Sequence, residues 1–207
     1  YYDRLTGLPN KEYLQEYLED IMKNQKKSKK AVLLLNCVNF KTLNMTYGFV
    51  YGDEILRQIS RRVKEMTDPE HMFFRFNADR FVLAVEGYRD SKELADIAEK
   101  LVEIFKDPFE GIAKHEYIGL EISIYEIENQ DISADKVLRD ASLALSNIEH
   151  IKDEKIVFYK KYMEENLKRE DIIEKALRKI ISGEGEDIFY LEFQAKLDIK
   201  NEIINGF

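Results

Sequence analysis

The chain has 207 residues, of which 44% are hydrophobic and 35% charged, and it carries a formal net charge of −8. This length and apolar content support a packed core of one ordinary domain with an appendage, and exclude a disordered chain. The acidic balance excludes nucleic-acid binding through a phosphate-neutralising surface; a polyanionic ligand would need a local basic pocket or a bridging metal.

Cys37 is the single cysteine, so no intrachain disulfide can form, which fits a reducing, cytoplasmic setting. No signal peptide is visible, and the longest apolar run, Ala31 to Leu35, is far too short to span a bilayer. The ends at Tyr1-Tyr2 and Gly206-Phe207 read as cuts in a longer parent, which leaves room for a membrane anchor elsewhere.

The first element is a turn-rich entry, "LTGLPN", with Asn10 placed to cap a helix that runs to about Lys27. Tyr13, Leu14, Tyr17, Leu18, Ile21 and Met22 recur in it at helical spacing. "QKKSKK" reads as a solvated loop. Ala31 to Val38 is continuously apolar, the pattern of a strand buried on both faces. A short polar helix is expected over Phe40 to Met45, two glycines follow, and a helix covers about Asp53 to Met66. Two apolar runs, His71 to Phe76 and Arg80 to Val85, meet at Asn77-Ala78-Asp79 and predict a β-hairpin. Asp90 with Glu93 suggests a capping box for a helix to about Lys106. Glu116 to Ile127 reads as a strand, Ala134 to Ile148 as a helix and Lys155 to Tyr159 as a short strand. This order predicts an α+β fold, a mainly antiparallel sheet with helices on its faces. Beyond it, Lys160 to Ile181 is a charged amphipathic helix with a narrow stripe of Leu167, Ile173, Leu177 and Ile180. "IFYLEFQAKLDI" and "EIINGF", separated by Lys200-Asn201, read as a second hairpin.

Four fragments in this order resemble the GGDEF domains, or diguanylate cyclases, which carry an adenylyl-cyclase-like palm fold and join two GTP molecules into cyclic di-GMP. The family's D-x-L-T-G-L-P-N-R opening stands as Asp3 to Lys11. Its D-x-D-x-F-K-x-x-N-D-x-x-G-H-x-x-G-D element reads "NCVNFKTLNMTYGFVYGD", Asn36 to Asp53. Its signature R-x-G-G-D-E-F appears as "RFNADRF", Arg75 to Phe81, and its last strand as "KDEKIVFY". The resemblance covers residues 1–159. The tail resembles the start of an EAL domain, the cyclic di-GMP phosphodiesterase fold, with Gln194 at that family's Y-Q-P glutamine and Ala195 in place of its proline. The expected organisation is therefore a degenerate GGDEF domain at 1–159, a linker helix at 160–183 and the truncated first hairpin of an EAL domain at 184–207.

The resemblance also says what is missing. The family reaction sends a 3′-hydroxyl to an α-phosphate with Mg²⁺ held by hard carboxylate oxygens. Its metal acids fall on Asn36, Val38, Asp79 and Arg80, so one acid and one base stand where the family has four acids. A unit charge pair 4 Å apart is worth about 4 kcal/mol at an effective dielectric of 20, and Arg80 would turn that against a cation. Mg²⁺ is thus disfavoured, with Asp79 alone a weak ligand. Asn77 and Ala78 replace two glycines that let nucleotide lie close to the backbone, although Asn tolerates a left-handed turn. Glu149 and Asp153 fall where the family places a Lys and an Arg, and Asp68 and His71 where it places the R-x-x-D of product inhibition. His71, His115 and His150 show no metal-ligand spacing and read as surface residues. Asn44 and Asp53 keep the base-reading pair, since a carboxylate accepts from guanine N1–H and N2–H₂ and an amide both donates and accepts. The plain alternatives are a helix N-cap for Asp53 and a turn contact for Asn44. Phosphate is expected at Phe40, Lys41 and Arg80.

Three functional readings stand side by side. The first is a catalytically inactive GGDEF domain that regulates an EAL domain of the same parent, with GTP as a ligand. The second is a structural module that dimerises through the charged helix. The third is an active diguanylate cyclase with an unusual site.

Overall fold

The computed structural model describes residues 1–24, 28–110, 115–128, 131–148 and 154–182, together with the backbone of two short strands at 197–198 and 203–204. The elements are α1 (Lys11–Lys23), β1 (Lys30–Val38), α2 (Phe40–Tyr47), α3 (Phe49–Met66), β2 (Met72–Asn77), β3 (Arg80–Glu86), α4 (Ser91–Ile104), β4 (Phe109–Glu110), β5 (His115–Glu116), β6 (Gly119–Ile127), α5 (Ala134–Ile148), β7 (Ile156–Phe158), α6 (Lys161–Ile181), β8 (Leu197–Asp198) and β9 (Ile203–Ile204). The chain divides into two compact units, Tyr1–Glu164 and Glu165–Phe207.

The first unit is built on a five-stranded sheet in the order β2-β3-β1-β6-β7. All its pairings are antiparallel except β6 with β7. Strand β1 lies at the centre, which explains its unbroken apolar sequence: it has no face left for water. Its side chains alternate between two cores. Leu33, Leu35 and Cys37 join α2, α3 and α4 through Phe40, Ile55, Ile59, Leu94 and Leu101. Val32 and Leu34 join α1 and α5 through Leu14, Leu18, Val137, Ala141 and Leu145. Full burial of each such side chain stabilises the fold by about 1.5–3 kcal/mol. The α+β sandwich expected from the sequence is the fold observed.

Several boundaries moved for local reasons. Helix α1 stops at Lys23, because Asn24 turns to an extended backbone and donates its N–H to Asp20. Its N-cap is Asn10 as expected, whose Oδ1 accepts the Tyr13 N–H at 3.1 Å. Helix α3 begins at Phe49 rather than near Asp53, and runs straight through Gly52. A Cβ on residue 52 would overlap Asn44 Oδ1 and come within 3.1 Å of Phe40 Cζ, so the glycine marks a close crossing of α2 and α3, not a break. Asp53 is therefore an interior helical residue and not an N-cap. Asp90 does cap α4, but Glu93 reaches back to the N–H of Arg89 instead of completing the box on Asp90. The β4–β5 ribbon had no counterpart in the expected elements, and β6 starts at Gly119 because Glu116 and His115 pair with Phe109 and Glu110 of β4 instead.

In the second unit, Leu197 pairs with Ile204 and Asp198 with Ile203 in an antiparallel hairpin. Gln194, Ala195, Glu149, His150 and Asp153 lie outside the described residues.

Candidate functional site

The site forms where the C-terminal end of β1, the β2–β3 hairpin, the α2–α3 corner and the N-terminal loop converge. The loop is held by Asp3, whose Oδ1 accepts from Thr6 N–H at 2.8 Å and from Thr6 Oγ1–H at 2.6 Å, with Gly7 at φ +67° closing the turn. The Arg75 N–H then donates to Pro9 O at 2.8 Å, which fixes the loop along β2 and brings Leu5 to the site.

The hairpin is retained. Asn77 faces Arg80, leaving Ala78 and Asp79 at the tip, and the register slips between Arg75 and Asn77. This irregularity lets the turn close with ordinary backbone: among the described residues the only non-glycine with positive φ is Asn39. The left-handed tolerance of Asn77 is therefore not used. Asp79 O accepts the Cys37 N–H at 3.1 Å and ties the tip to β1.

Arg75 is the residue whose importance the sequence did not reveal. It is only 8% exposed. Its Nη2 donates to Ala78 O across the hairpin, and its guanidinium lies over the Phe81 ring at 4.7 Å. Burial pulls its pKa down, opposed by the nearby Asp3, Asp79 and Asp53 carboxylates. It was visible only as the first letter of the signature, with nothing local to show that it turns inward.

A cleft of about 630 Å³ opens between the hairpin tip and α2–α3. Leu5, Phe40 and Leu56 give it an apolar lining, Asn44, Asp53 and Lys41 supply polar groups from α2 and α3, and Arg75, Ala78 and Asp79 close the hairpin side. Two buried polar atoms on its lining residues have no hydrogen-bond partner, Asn44 Oδ1 and Arg75 Nη1. Each such atom costs about 1–3 kcal/mol when left unsatisfied. Asn44 makes no turn contact with this oxygen.

Arg80 does not line the cleft. It stands on the opposite face of the sheet with Asn36 and Glu121, the cross-strand neighbours on β1 and β6. Arg80 Nε donates to Asn36 Oδ1 at 3.2 Å, and Asn36 Nδ2 donates to Glu121 Oε2 at 3.1 Å. A cation, an amide and a carboxylate thus satisfy one another across three strands. Val38 packs on Gly119, and a Cβ there would lie 3.1 Å from Val38 Cβ. Among the described residues no three His, Cys, Asp or Glu side chains gather where they could hold a metal. Asp68 and His71 shape the turn into β2, where the His71 N–H donates to Asp68 O at 2.9 Å.

The pattern of the family described as "Diguanylate cyclase, GGDEF domain" matches residues 1–155. The chain belongs to the GGDEF domain family. This GGDEF domain is 30% identical over 158 residues to the diguanylate cyclase DgcN of Escherichia coli, covering 75% of this chain and 38% of DgcN. It is 31% identical over 134 residues to the bifunctional diguanylate cyclase/cyclic di-GMP phosphodiesterase MucR of Pseudomonas aeruginosa, covering 62% of this chain and 19% of MucR. The chain thus spans well under half the length of these relatives. The GGDEF domain of TpbB (YfiN) from Pseudomonas aeruginosa superposes with a TM-score of 0.75 at 20% identity, over 81% of this chain and 99% of that one, a likeness of fold. Among the described residues no helix is long and apolar enough to cross a membrane.

Proposed function

We propose that this GGDEF domain makes no cyclic di-GMP and instead regulates an EAL domain of a longer cyclic di-GMP signalling protein, with a guanine nucleotide as its ligand. The observation that carries the reading is the Arg80–Asn36–Glu121 ladder. The positions that the family gives to metal carboxylates hold an amide and a guanidinium already bonded to each other, Val38 offers no donor, and Asp79 stands alone. This donor set does not fit Mg²⁺, which takes oxygen ligands in a near-octahedral shell. Removing the metal removes both the polarised phosphate and the activated hydroxyl of the family reaction. The apolar cleft with Asn44 and Asp53 is what remains to bind a nucleotide. The similarity to MucR, whose name couples the two activities in one protein, supports an EAL partner, as do Gln194 and the tail around it.

Two measurements test this. Chromatography of GTP and Mg²⁺ incubated with concentrated protein is expected to show no cyclic di-GMP, and product formation at a family-typical rate would overturn the inactive reading. Titration calorimetry with GTP is expected to show binding at one site. A second reading, dimerisation through α6, draws on the exposure of Leu167, Ile173 and Leu177 along its length. Absence of all nucleotide binding together with a dimer in light scattering would favour it.

A further inference from the structure

Along α6 the side chains of Leu167, Ile173, Leu177 and Ile181 stay exposed, Leu167 and Ile173 by about half (51% and 47%). Positions 167, 170, 174, 177 and 181 follow the alternating three- and four-residue spacing of a coiled-coil seam, with Ile173 and Ile180 beside it. A helix with such a stripe gains stability by covering it.

The seam also carries Glu170 and Glu174, and these decide what can lie on it. A purely apolar cover would bury both carboxylates without partners. The cover must bring cations at matching places, and α6 itself has them. Reversing the helix about the midpoint between Glu174 and Lys175 lays Glu170 against Lys179, Asp171 against Arg178 and Glu174 against Lys175, and repeats the three pairs on the other side of the midpoint. The same reversal brings Leu167 within one residue of the level of Ile181, and Ile173 within one residue of Leu177, so apolar layers alternate with charged ones. Within one chain, Lys175 pairs with Asp171 at 2.6 Å and Arg178 with Glu174 at 2.7 Å, whereas Glu170 and Lys179 have no ion-pair partner among the described residues. A parallel pair in register would instead set Glu170 against Glu170 and Glu174 against Glu174, like charges on one seam.

We propose that α6 pairs with α6 of a second copy of this chain, antiparallel and centred between Glu174 and Lys175. The acidic Glu170 and Asp171 of each copy then meet the basic Arg178 and Lys179 of the other. The inference rests on pairing through α6, to which it gives a direction and a charge code, and it stands apart from the nucleotide reading.

Disulfide trapping and light scattering of the full chain test it. Cys37 is buried, so the parent protein oxidised alongside is the control. Glu174→Cys is expected to cross-link with itself. Leu167→Cys and Ile181→Cys are each expected to cross-link poorly alone and well when mixed, since the two positions lie about 21 Å apart along one helix and meet only between reversed copies. Glu170→Lys with Asp171→Lys, and Arg178→Glu with Lys179→Glu, are each expected to weaken the dimer by at least about 10-fold, and mixing the two double variants to restore it. Restoration also shows that both variants fold. Leu167→Cys and Ile181→Cys each cross-linking with itself, with no gain on mixing, would overturn the antiparallel direction and keep pairing through α6. Double variants that dimerise as tightly as the parent would overturn the charge code. A parent protein that stays monomeric at every concentration would overturn the pairing altogether, and none of these outcomes bears on nucleotide binding.

Discussion

Arg80 Nε and Asn36 Oδ1 meet at 3.2 Å between two residues that face each other across β3 and β1. The consequence is a cation locked into a sheet through a neutral amide that a carboxylate, Glu121, holds from the other side. Arg80→Glu would break the bond to Asn36 and put a second carboxylate on the same row as Glu121, with β1 between them. A loss of about 1–2 kcal/mol is expected, read as a lower urea midpoint at neutral pH. The double change Asn36→Asp and Arg80→Glu would place three carboxylates across three strands. Millimolar Mn²⁺ is then expected to raise the melting temperature of the double variant by several degrees and leave the parent protein unmoved. No response in the double variant would mean that the backbone geometry of a metal site has gone along with its ligands.

Gly52 sits inside a helix, where glycine costs about 1 kcal/mol relative to alanine. Gly52→Ala should nevertheless destabilise, because the new Cβ would overlap Asn44 Oδ1 and crowd Phe40 Cζ. The strain of moving Asn44 and the buried Phe40 is expected to exceed the propensity gain and to give a net loss of about 1–3 kcal/mol. Displacing Asn44 should also abolish guanine nucleotide binding. A variant that is more stable and still binds would show that the α2–α3 crossing is looser than its geometry implies.

Elements with their own periodicity were legible in the sequence. β1 announced a central strand by five consecutive apolar residues, and α5 was bounded correctly at Ala134 and Ile148. Features that depend on distant partners were not. Glu121 bonds Asn36 from 85 positions away, and nothing near either residue encodes that register. Gly52 looked like punctuation because its role, a missing Cβ under Asn44, exists only once α2 and α3 pack. The separation of Arg80 from the cleft follows from strand alternation, which places neighbours in sequence on opposite faces. Reading the hairpin as one cluster of residues hid that division.

Tyrosines set an alkaline limit on the fold. Tyr159 is raised from 10.0 to about 12, first by burial and then by Asp140. Burial likewise raises Tyr17, whose hydroxyl donates to Glu86 at 2.8 Å, and Tyr88, whose hydroxyl donates to Glu126 at 3.1 Å. A phenol with a raised folded pKa binds its proton more tightly in the folded state. Its contribution is complete below its unfolded pKa and is lost as pH climbs towards the folded value. The urea midpoint is expected to fall across the interval from pH 10 to about 12, with phenolate absorbance appearing together with unfolding. Free titration of all tyrosines near pH 10 in the folded protein would contradict this.

Arg75 braces the hairpin from within. Arg75→Ala would remove its bond to Ala78 O and its contact with the Phe81 ring, and take away the cation that the nearby Asp3, Asp79 and Asp53 carboxylates stabilise. A cost of about 3 kcal/mol is expected, at the level of breaking a buried charge network. Cys37 reports on it directly. The thiol is buried under the hairpin tip, and burial, aided by Asp79, raises its pKa well above the usual range, so the native protein should resist thiol reagents. If hairpin opening controls access, Arg75→Ala should speed Cys37 labelling by about 100-fold. Arg75→Lys keeps the charge but loses the planar fork that reaches Ala78 O and stacks on Phe81, so labelling should fall between the two. Equal rates in all three proteins would show that Cys37 is reached by global unfolding and that the hairpin does not open alone.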